Sequence, residues 1–445
     1  MPLRKRTFKG GVHPPEEKKW TENKAIEKLP LPEKVIIPLQ QHIGRPSKPV
    51  VAVGDVVAVG DPLSEADGFV SAPTHASISG TVKAIEKHPH PIGVDVLSVV
   101  IEGDGEDRIS DKILSTPLDT ASMDAEEIKK KILNAGITGM GGATFPTHVK
   151  LSPPPPKKID TFILNGAECE PFLTSDHRLM LEQPEAILKG IQIIQQAIGC
   201  QSVYIGIENN KPDAVKVMRE KIKELNLPFE VLSFQVKYPQ GAEKQLIKAA
   251  TGREVPRGGL PMDVGALVQN VGTAKAVYDA VALNKPLYER IVTVTGRGVK
   301  EPKNVLARIG TPFSQLIGFC GGLTDDAAKV LNGGPMMGIA QFTLDVPVIK
   351  GTSGILAFDG KSSPLSDELA CIRCGRCVDI CPMGLMPNTL GTFVEYEKYD
   401  NAKKYGILDC IECGSCAFIC PAKRHLVHYM KYGKLEVNRR SRPAA

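Results

Sequence analysis

Two short runs near the C-terminus limit what this chain can fold into more than any other feature. Cys371, Cys374, Cys377 and Cys381-Pro382 spell C-x2-C-x2-C-x3-C-P, and Cys410, Cys413, Cys416 and Cys420-Pro421 spell it again. Spacings this short let three thiolates wrap one face of a [4Fe–4S] cube, while the fourth cysteine of each run ligates the neighbouring cluster. The expected ligand sets are therefore crossed: Cys371, Cys374, Cys377 and Cys420 on one cluster, Cys410, Cys413, Cys416 and Cys381 on the other. A pair of structural zinc sites would need four tetrahedral ligands each and leaves the third cysteine and the repeated Cys-Pro without a role. Of the 11 cysteines only Cys169, Cys200 and Cys320 lie elsewhere, so the thiols are clustered for metal binding rather than spread as a disulfide framework. Gly375 and Gly414 hold equivalent places, where a residue without Cβ lets backbone amides approach the cluster sulfurs. Two adjacent clusters with no open coordination site imply electron transfer rather than chemistry on a substrate. The 28 residues between the runs (382–409), charged over 395–404, predict a connecting helix.

The rest of the chain must house and serve these clusters. Its 445 residues suffice for roughly three domains. No apolar run approaches the roughly 18 residues of a spanning helix, and the N-terminus leads into no signal segment, which predicts a cytoplasmic chain. A net charge of +5, one tryptophan and 5% aromatic residues advertise no nucleic-acid platform.

Residues 1–34 are basic and proline-punctuated and read as an extended arm. Over 35–105, β-branched residues alternate with Gly-Asp pairs (Gly54-Asp55, Gly60-Asp61), predicting a small barrel-sandwich of short strands. This pattern resembles the biotinyl/lipoyl carrier fold. It lacks the Met-Lys or Asp-Lys pair of that family's modified hairpin, so a scaffold without modification is expected. Ser122 and Asp124 offer caps for a helix through Asn134, stopped by Gly136. Four prolines (153–156) form a stiff connector. Strands at 159–164, 202–207 and 229–236 then alternate with helices at 184–198 and 213–225, predicting a Rossmann-like α/β core with a parallel sheet over 120–300. A further strand is expected at 292–296. A glycine-rich unit follows at 301–358, then the cysteine module at 365–432 and a basic tail at 433–445.

A second informative segment joins Gly136, Gly139, Gly141, Gly142, Phe145, Pro146, Thr147, His148 and Lys150. Bare glycines let backbone N–H groups approach phosphate or a flat ring, and Lys150 supplies charge. Further on, Asn165-Gly166-Ala167-Glu168-Cys169-Glu170-Pro171 stands at the carboxyl end of the first parallel strand, where ligands bind open α/β sheets. The two segments together resemble the flavin- and NADH-binding subunit of respiratory complex I. The resemblance implies FMN and NADH contacts from Gly139, Gly141, Gly142, Phe145, Lys150, Asn165, Glu168 and Glu170. It extends to Tyr238-x-x-Gly241-x-Glu243 and to Asn270-Val271 with Thr273, adding Gly241, Glu243 and Asn270. Ala167, His148, Ala242 and Gly272 replace the family's aspartate, glycine, glutamate and glutamate.

The order of the parts is similar to the RnfC family of the Rnf complex, a membrane-bound NADH:ferredoxin oxidoreductase, as is the opening Phe8-x-Gly10-Gly11-Val12-His13-Pro14-Pro15. That resemblance implies a β-grasp unit of the soluble-ligand-binding (SLBB) type at 301–358 and a two-cluster ferredoxin-like α-helical module behind it. It implies FMN bound non-covalently, NAD(H), two [4Fe–4S] clusters and membrane subunits as partners. The expected place is peripheral, on the cytoplasmic face of the cell membrane. A cobalamin reductase, a flavin-free docking subunit and a soluble dehydrogenase using a diffusing ferredoxin are the alternative readings. Lys423, Arg424, Lys431, Lys434, Arg439, Arg440 and Arg442 form either a solvated face or one that meets an acidic subunit or anionic lipid.

Overall fold

The computed structural model describes residues 6–363 and 367–441. At its centre four parallel strands lie in the order Glu230–Phe234, Ser202–Glu208, Thr161–Gly166, Ala266–Asn270. The chain steps outward from Thr161–Gly166 in one direction and returns to add Ala266–Asn270 on its other side. Between those two strands lies the switch point at which open α/β sheets hold ligands. Side chains alternate across the central strand: Phe162 and Leu164 pack into a core shared with helices Ala125–Asn134, Pro184–Ile198 and Val271–Ala282. Ile163 faces the opposite core, beneath helix Glu243–Thr251. Helix Pro184–Ile198 runs over the residues its sequence announces, with proline in the first turn and left-handed Gly199 after its end.

The barrel-sandwich pairs Lys34–Pro38, Asp95–Gly103, Gly80–Pro89 and Val56–Val57 in one antiparallel sheet. Its Gly-Asp turns work alike: Asp55 and Asp61 each accept the N–H three residues back, from Ala52 and Ala58, at 2.8 Å. Gly54 and Gly60 take positive φ beside them.

Four sequence expectations need correction. The strand expected at 292–296 as part of the nucleotide core is Glu289–Thr295 of a different, six-stranded sheet. It pairs antiparallel with Lys303–Arg308 and parallel with Gly354–Asp359. A short connection makes the next strand its nearest partner, so the β-grasp unit begins before 301. The arm is not merely extended: Phe8, Val12, Lys18 and Thr21 are buried, and Ile26–Lys28 adds an edge strand beside Lys303–Arg308. At the other end, helix Leu426–Arg440 runs through the expected boundary at 432, with Met430 and Val437 packed into the cluster module. The basic tail thus starts as module; Arg442 and the rest of 442–445 lie outside the described residues, as do residues 1–5. The charged linker forms two helices, Pro387–Glu395 and Tyr399–Lys404, parted at Glu397 with φ +54°.

Buried Lys350 ties three units together. Its Nζ donates to Pro73 O of the barrel and Gly136 O of the core, both at 2.7 Å, and burial pushes it down to about 7. Among the described residues no helix is long and apolar enough to cross a membrane.

Candidate flavin and cluster sites

The eight thiols of the two runs gather into two cavities. Cys371, Cys374, Cys377 and Cys420 line one. Cys381, Cys410, Cys413 and Cys416 line the other. Both groupings are the crossed ones. The runs also share a backbone shape: Arg373 and Gly375 in one, Glu412 and Gly414 in the other, all have positive φ. Each glycine leads into a short helix, Arg376–Asp379 or Ser415–Ile419. Backbone N–H groups already reach sulfur, from Leu385 to Cys381 Sγ and from Glu412 to Cys410 Sγ, each at 3.4 Å.

The donor chemistry fits iron–sulfur clusters. Among the described residues no three His, Cys, Asp or Glu side chains converge as one metal ion requires. Four thiols line each cavity, the donor set that one [4Fe–4S] cluster takes. Burial pushes the Cys410 thiol up to about 11, so a thiolate there needs the positive charge of bound iron. Cys371 and Cys374 are exposed while Cys413 and Cys416 are buried, so one cavity opens near the surface and the other lies inside.

The second site is a cleft at the switch point of the core sheet. All eleven residues expected from the sequence line it: Gly139, Gly141, Gly142, Phe145, Lys150, Asn165, Glu168, Glu170, Gly241, Glu243 and Asn270. Their neighbours Asp176, Tyr238, Cys169 and Gln269 also line it, as do Met337 and Ser353 of the β-grasp unit and Ile411 and Cys413 of the cluster module. The sequence shows no periodic or local signal that would have added these from other units.

The cleft has features a flavin would complete. Gln269, almost fully buried, leaves its side-chain Nε2 without a partner, and Gln245 leaves its Oε1 so. A Cβ on Gly141 would lie 3.2 Å from Asn270 Nδ2, and one on Gly241 3.2 Å from Cys169 Sγ, so a side chain at either position would crowd its neighbour. Lys150 Nζ reaches across to Glu243 Oε1 at 2.5 Å. Asn165 holds the far wall by donating to Gly241 O at 2.9 Å. Asn270 is turned to structural work: it caps helix Val271–Ala282 by accepting from Gly272 N and donates to Asp176 Oδ2. His148, where the complex I family has glycine, is buried and contacts Phe69 O of the barrel at 3.1 Å.

The acidic loop below the cleft is strained and heavily tied. Glu168 and Phe172 have φ of +46° and +68°, conformations that persist only where surroundings impose them. Lys18 of the arm imposes them: its Nζ donates to the carbonyls of Glu168 (2.9 Å), Glu170 (3.0 Å) and Leu173 (2.6 Å). Lys211 donates to Ala167 O at 2.8 Å. The Glu168 carboxylate accepts from Asp176 N at 2.7 Å and His177 N at 3.3 Å, capping helix Ser175–Glu182 from outside. That helix has no side-chain cap at Thr174, which is why its start is silent in the sequence. Glu170 accepts from Met336 N of the β-grasp unit at 3.1 Å. Burial pushes Glu168 and Glu170 up to about 7, against the pull of Lys18. Burial likewise holds the Cys169 thiol far above its ordinary range.

Several basic residues of the last segment are committed within the module. Arg424 pairs with Glu368 and Glu395, Lys434 with Glu412, and Arg439 with Glu436.

Fold and site together define a multidomain flavin and iron–sulfur protein, with a flavin cleft packed against a two-cluster module. Comparison with known families gives the same order of parts: an RnfC barrel sandwich hybrid domain at 6–106, a Nuo51 FMN-binding domain at 132–279, an SLBB domain at 291–340 and a 4Fe-4S dicluster domain at 363–421. The corresponding subunit of the proton-translocating ferredoxin:NAD(+) oxidoreductase complex of Clostridium ljungdahlii is 51% identical over 432 residues, 97% of this chain and 94% of that one. Its counterpart in the Na(+)-translocating complex of Acetobacterium woodii is 49% identical, covering 98% of each. The counterpart in the ion-translocating oxidoreductase complex of Rhodobacter capsulatus is 43% identical over 99% of this chain and 85% of its own length. The chain belongs to the RnfC family of ion-translocating oxidoreductase complexes. Among solved structures, the NAD+-reducing [NiFe]-hydrogenase in its H2-reduced state shares the fold, with a TM-score of 0.53 and 19% identity over 72% of this chain and 64% of that one.

Proposed function

We propose that this chain is the electron-input subunit of an ion-translocating ferredoxin:NAD oxidoreductase, peripheral to the membrane and on its cytoplasmic face. Electrons pass between NAD(H) and the clusters by way of the flavin cleft. One observation carries the reading: Cys413, a thiol of the inner cluster cavity, is also part of the wall of the flavin cleft. FMN, when bound, supplies the exchange between two-electron hydride transfer and the single electrons that a [4Fe–4S] cluster takes.

The chain's own residues bind and orient. The backbone of Gly139, Gly141 and Gly142 offers N–H groups to the flavin, with Lys150 giving the charge and Gln269 a further donor. Glu168 and Glu170 face the nicotinamide nucleotide, and Phe145 gives it an aromatic face. Cys381, Cys410, Cys413 and Cys416 hold the cluster nearer the cleft; Cys371, Cys374, Cys377 and Cys420 hold the outer one, nearest a partner.

The test is anaerobic purification with iron, acid-labile sulfide and flavin quantified, then one addition of NADH followed by absorbance. About eight iron and one FMN per chain, both bleached, is the expected result. Full iron without flavin and without bleaching would instead make the chain a docking subunit.

A further inference from the structure

The arm bridges the core and the cluster module by backbone, beside the place where Cys413 belongs to both the flavin cleft and the inner cluster cavity. Val12 N donates to Tyr238 O at 2.8 Å and Tyr238 N to Val12 O at 2.9 Å, a single antiparallel bridge to a residue of the cleft wall. One residue earlier, Gly11 N donates to Ile380 O at 2.7 Å, beside Cys381 of the inner cavity. Val12, Tyr238 and Cys413 share one small apolar core. The arm is anchored upstream by Lys237, whose Nζ donates to Phe8 O at 2.7 Å and lies over the Phe8 ring. Downstream, Phe172 N of the acidic loop donates to Glu16 O at 2.8 Å.

The two glycines leave this passage no slack. Gly10 and Gly11 have φ of +76° and +85°. A Cβ on Gly10 would stand 2.7 Å from Ile380 O and 2.9 Å from Cys381 O, and one on Gly11 2.7 Å from Tyr238 O. The obstructing atoms are backbone on both sides, so a methyl group forces the two units apart. Electron tunnelling falls exponentially with separation, and how closely the cluster module sits on the core depends on these two clearances.

From this we infer that residues 8–12 are a positioning strap, whose glycines set the distance between the flavin and the cluster of Cys381, Cys410, Cys413 and Cys416. The inference rests on the proposed function. It adds that the arm, far away in sequence, governs one electron step and not the hydride step before it.

The test uses full-length Gly11→Ala and, with the backbone untouched, Lys237→Met, each loaded with flavin and iron. In rapid mixing with NADH, flavin bleaching should keep the parent rate while cluster bleaching slows about tenfold or more in Gly11→Ala and less in Lys237→Met. Equal slowing of both steps, or of neither, would overturn the strap. Amide hydrogen exchange at Tyr238 and Gly11 reads the same contact without any flavin. It should rise in both variants, and unchanged exchange would overturn the strap whatever NADH does. A parent protein that takes no electrons from NADH, while its Gly11→Ala variant exchanges faster there, would sink the proposed function alone.

Discussion

The cluster module and the flavin cleft each hold a redox group, but they are built from opposite materials. The module takes eight thiols from two runs of eleven residues each (371–381 and 410–420), and the repeat extends to the left-handed turns at Arg373, Gly375, Glu412 and Gly414. The cleft gathers side chains from 139 to 413, and its acidic loop is held by Lys18 of the arm and Met336 of the β-grasp unit. A cluster site carries its geometry in local spacing, because iron–sulfur bonds are strong and few. A flavin cleft relies on many weak contacts, so its shape comes from how whole units pack.

That contrast can be broken most sharply at the cysteines. Cys381→Ala should remove one cluster outright, lowering iron from about eight to about four per chain. A second substitution, Cys410→Ala, should then cost no further iron, whereas Cys371→Ala should remove the rest. The reverse pattern would show that each run serves its own cluster. The next largest effect belongs to Lys18. Lys18→Met leaves three carbonyls of a strained loop without their donor, for a loss of about 3 kcal/mol in denaturant unfolding, and should weaken NADH binding more than FMN binding. Equal weakening of both would mean that the arm supports the core generally.

At the cleft itself, Lys150→Met removes one charged contact among many. FMN affinity should fall by about 10–100-fold, read by fluorescence titration, with iron content unchanged. The smallest effect is one of pH. Glu170 sits at about 7 in the fold against 4.5 in the free chain. The folded state therefore holds its proton more tightly, and the stability this contributes is present below pH 4.5 and lost as pH rises through 7. Glu170→Gln has no such loss, so it should gain on the parent by about 1–3 kcal/mol between about pH 5 and pH 8 in urea unfolding. A difference independent of pH would mean that Glu170 is charged in the fold.

Legibility followed the same division. Helix Pro184–Ile198 carries its own stop signals and could be read to the residue, and the Gly-Asp turns of the barrel announced short strands. Helix Ser175–Glu182 could not, because its cap is the Glu168 carboxylate seven residues before it. Strand Glu289–Thr295 had the right pattern for either sheet, and only pairing with Lys303–Arg308 and Gly354–Asp359 assigned it. The eleven cleft residues were legible through a resemblance in two short segments and their echoes. Gln269 and Met337 joined them only because the core strand and the β-grasp unit bring them to the same wall.

By itself the sequence determined the two cluster runs and their crossed grouping, the strand and helix alternation of the core, and the residues of the glycine loop and acidic segment. Each rests on spacing within a few residues, where covalent geometry leaves little freedom. Tertiary structure alone decided that Cys413 faces the flavin cleft, that Lys18 supports the acidic loop from 150 residues away, and that Gly10 packs against the cluster module and Gly11 against the core. Those are contacts between units, set by packed surfaces and backbone clearances that no local pattern records.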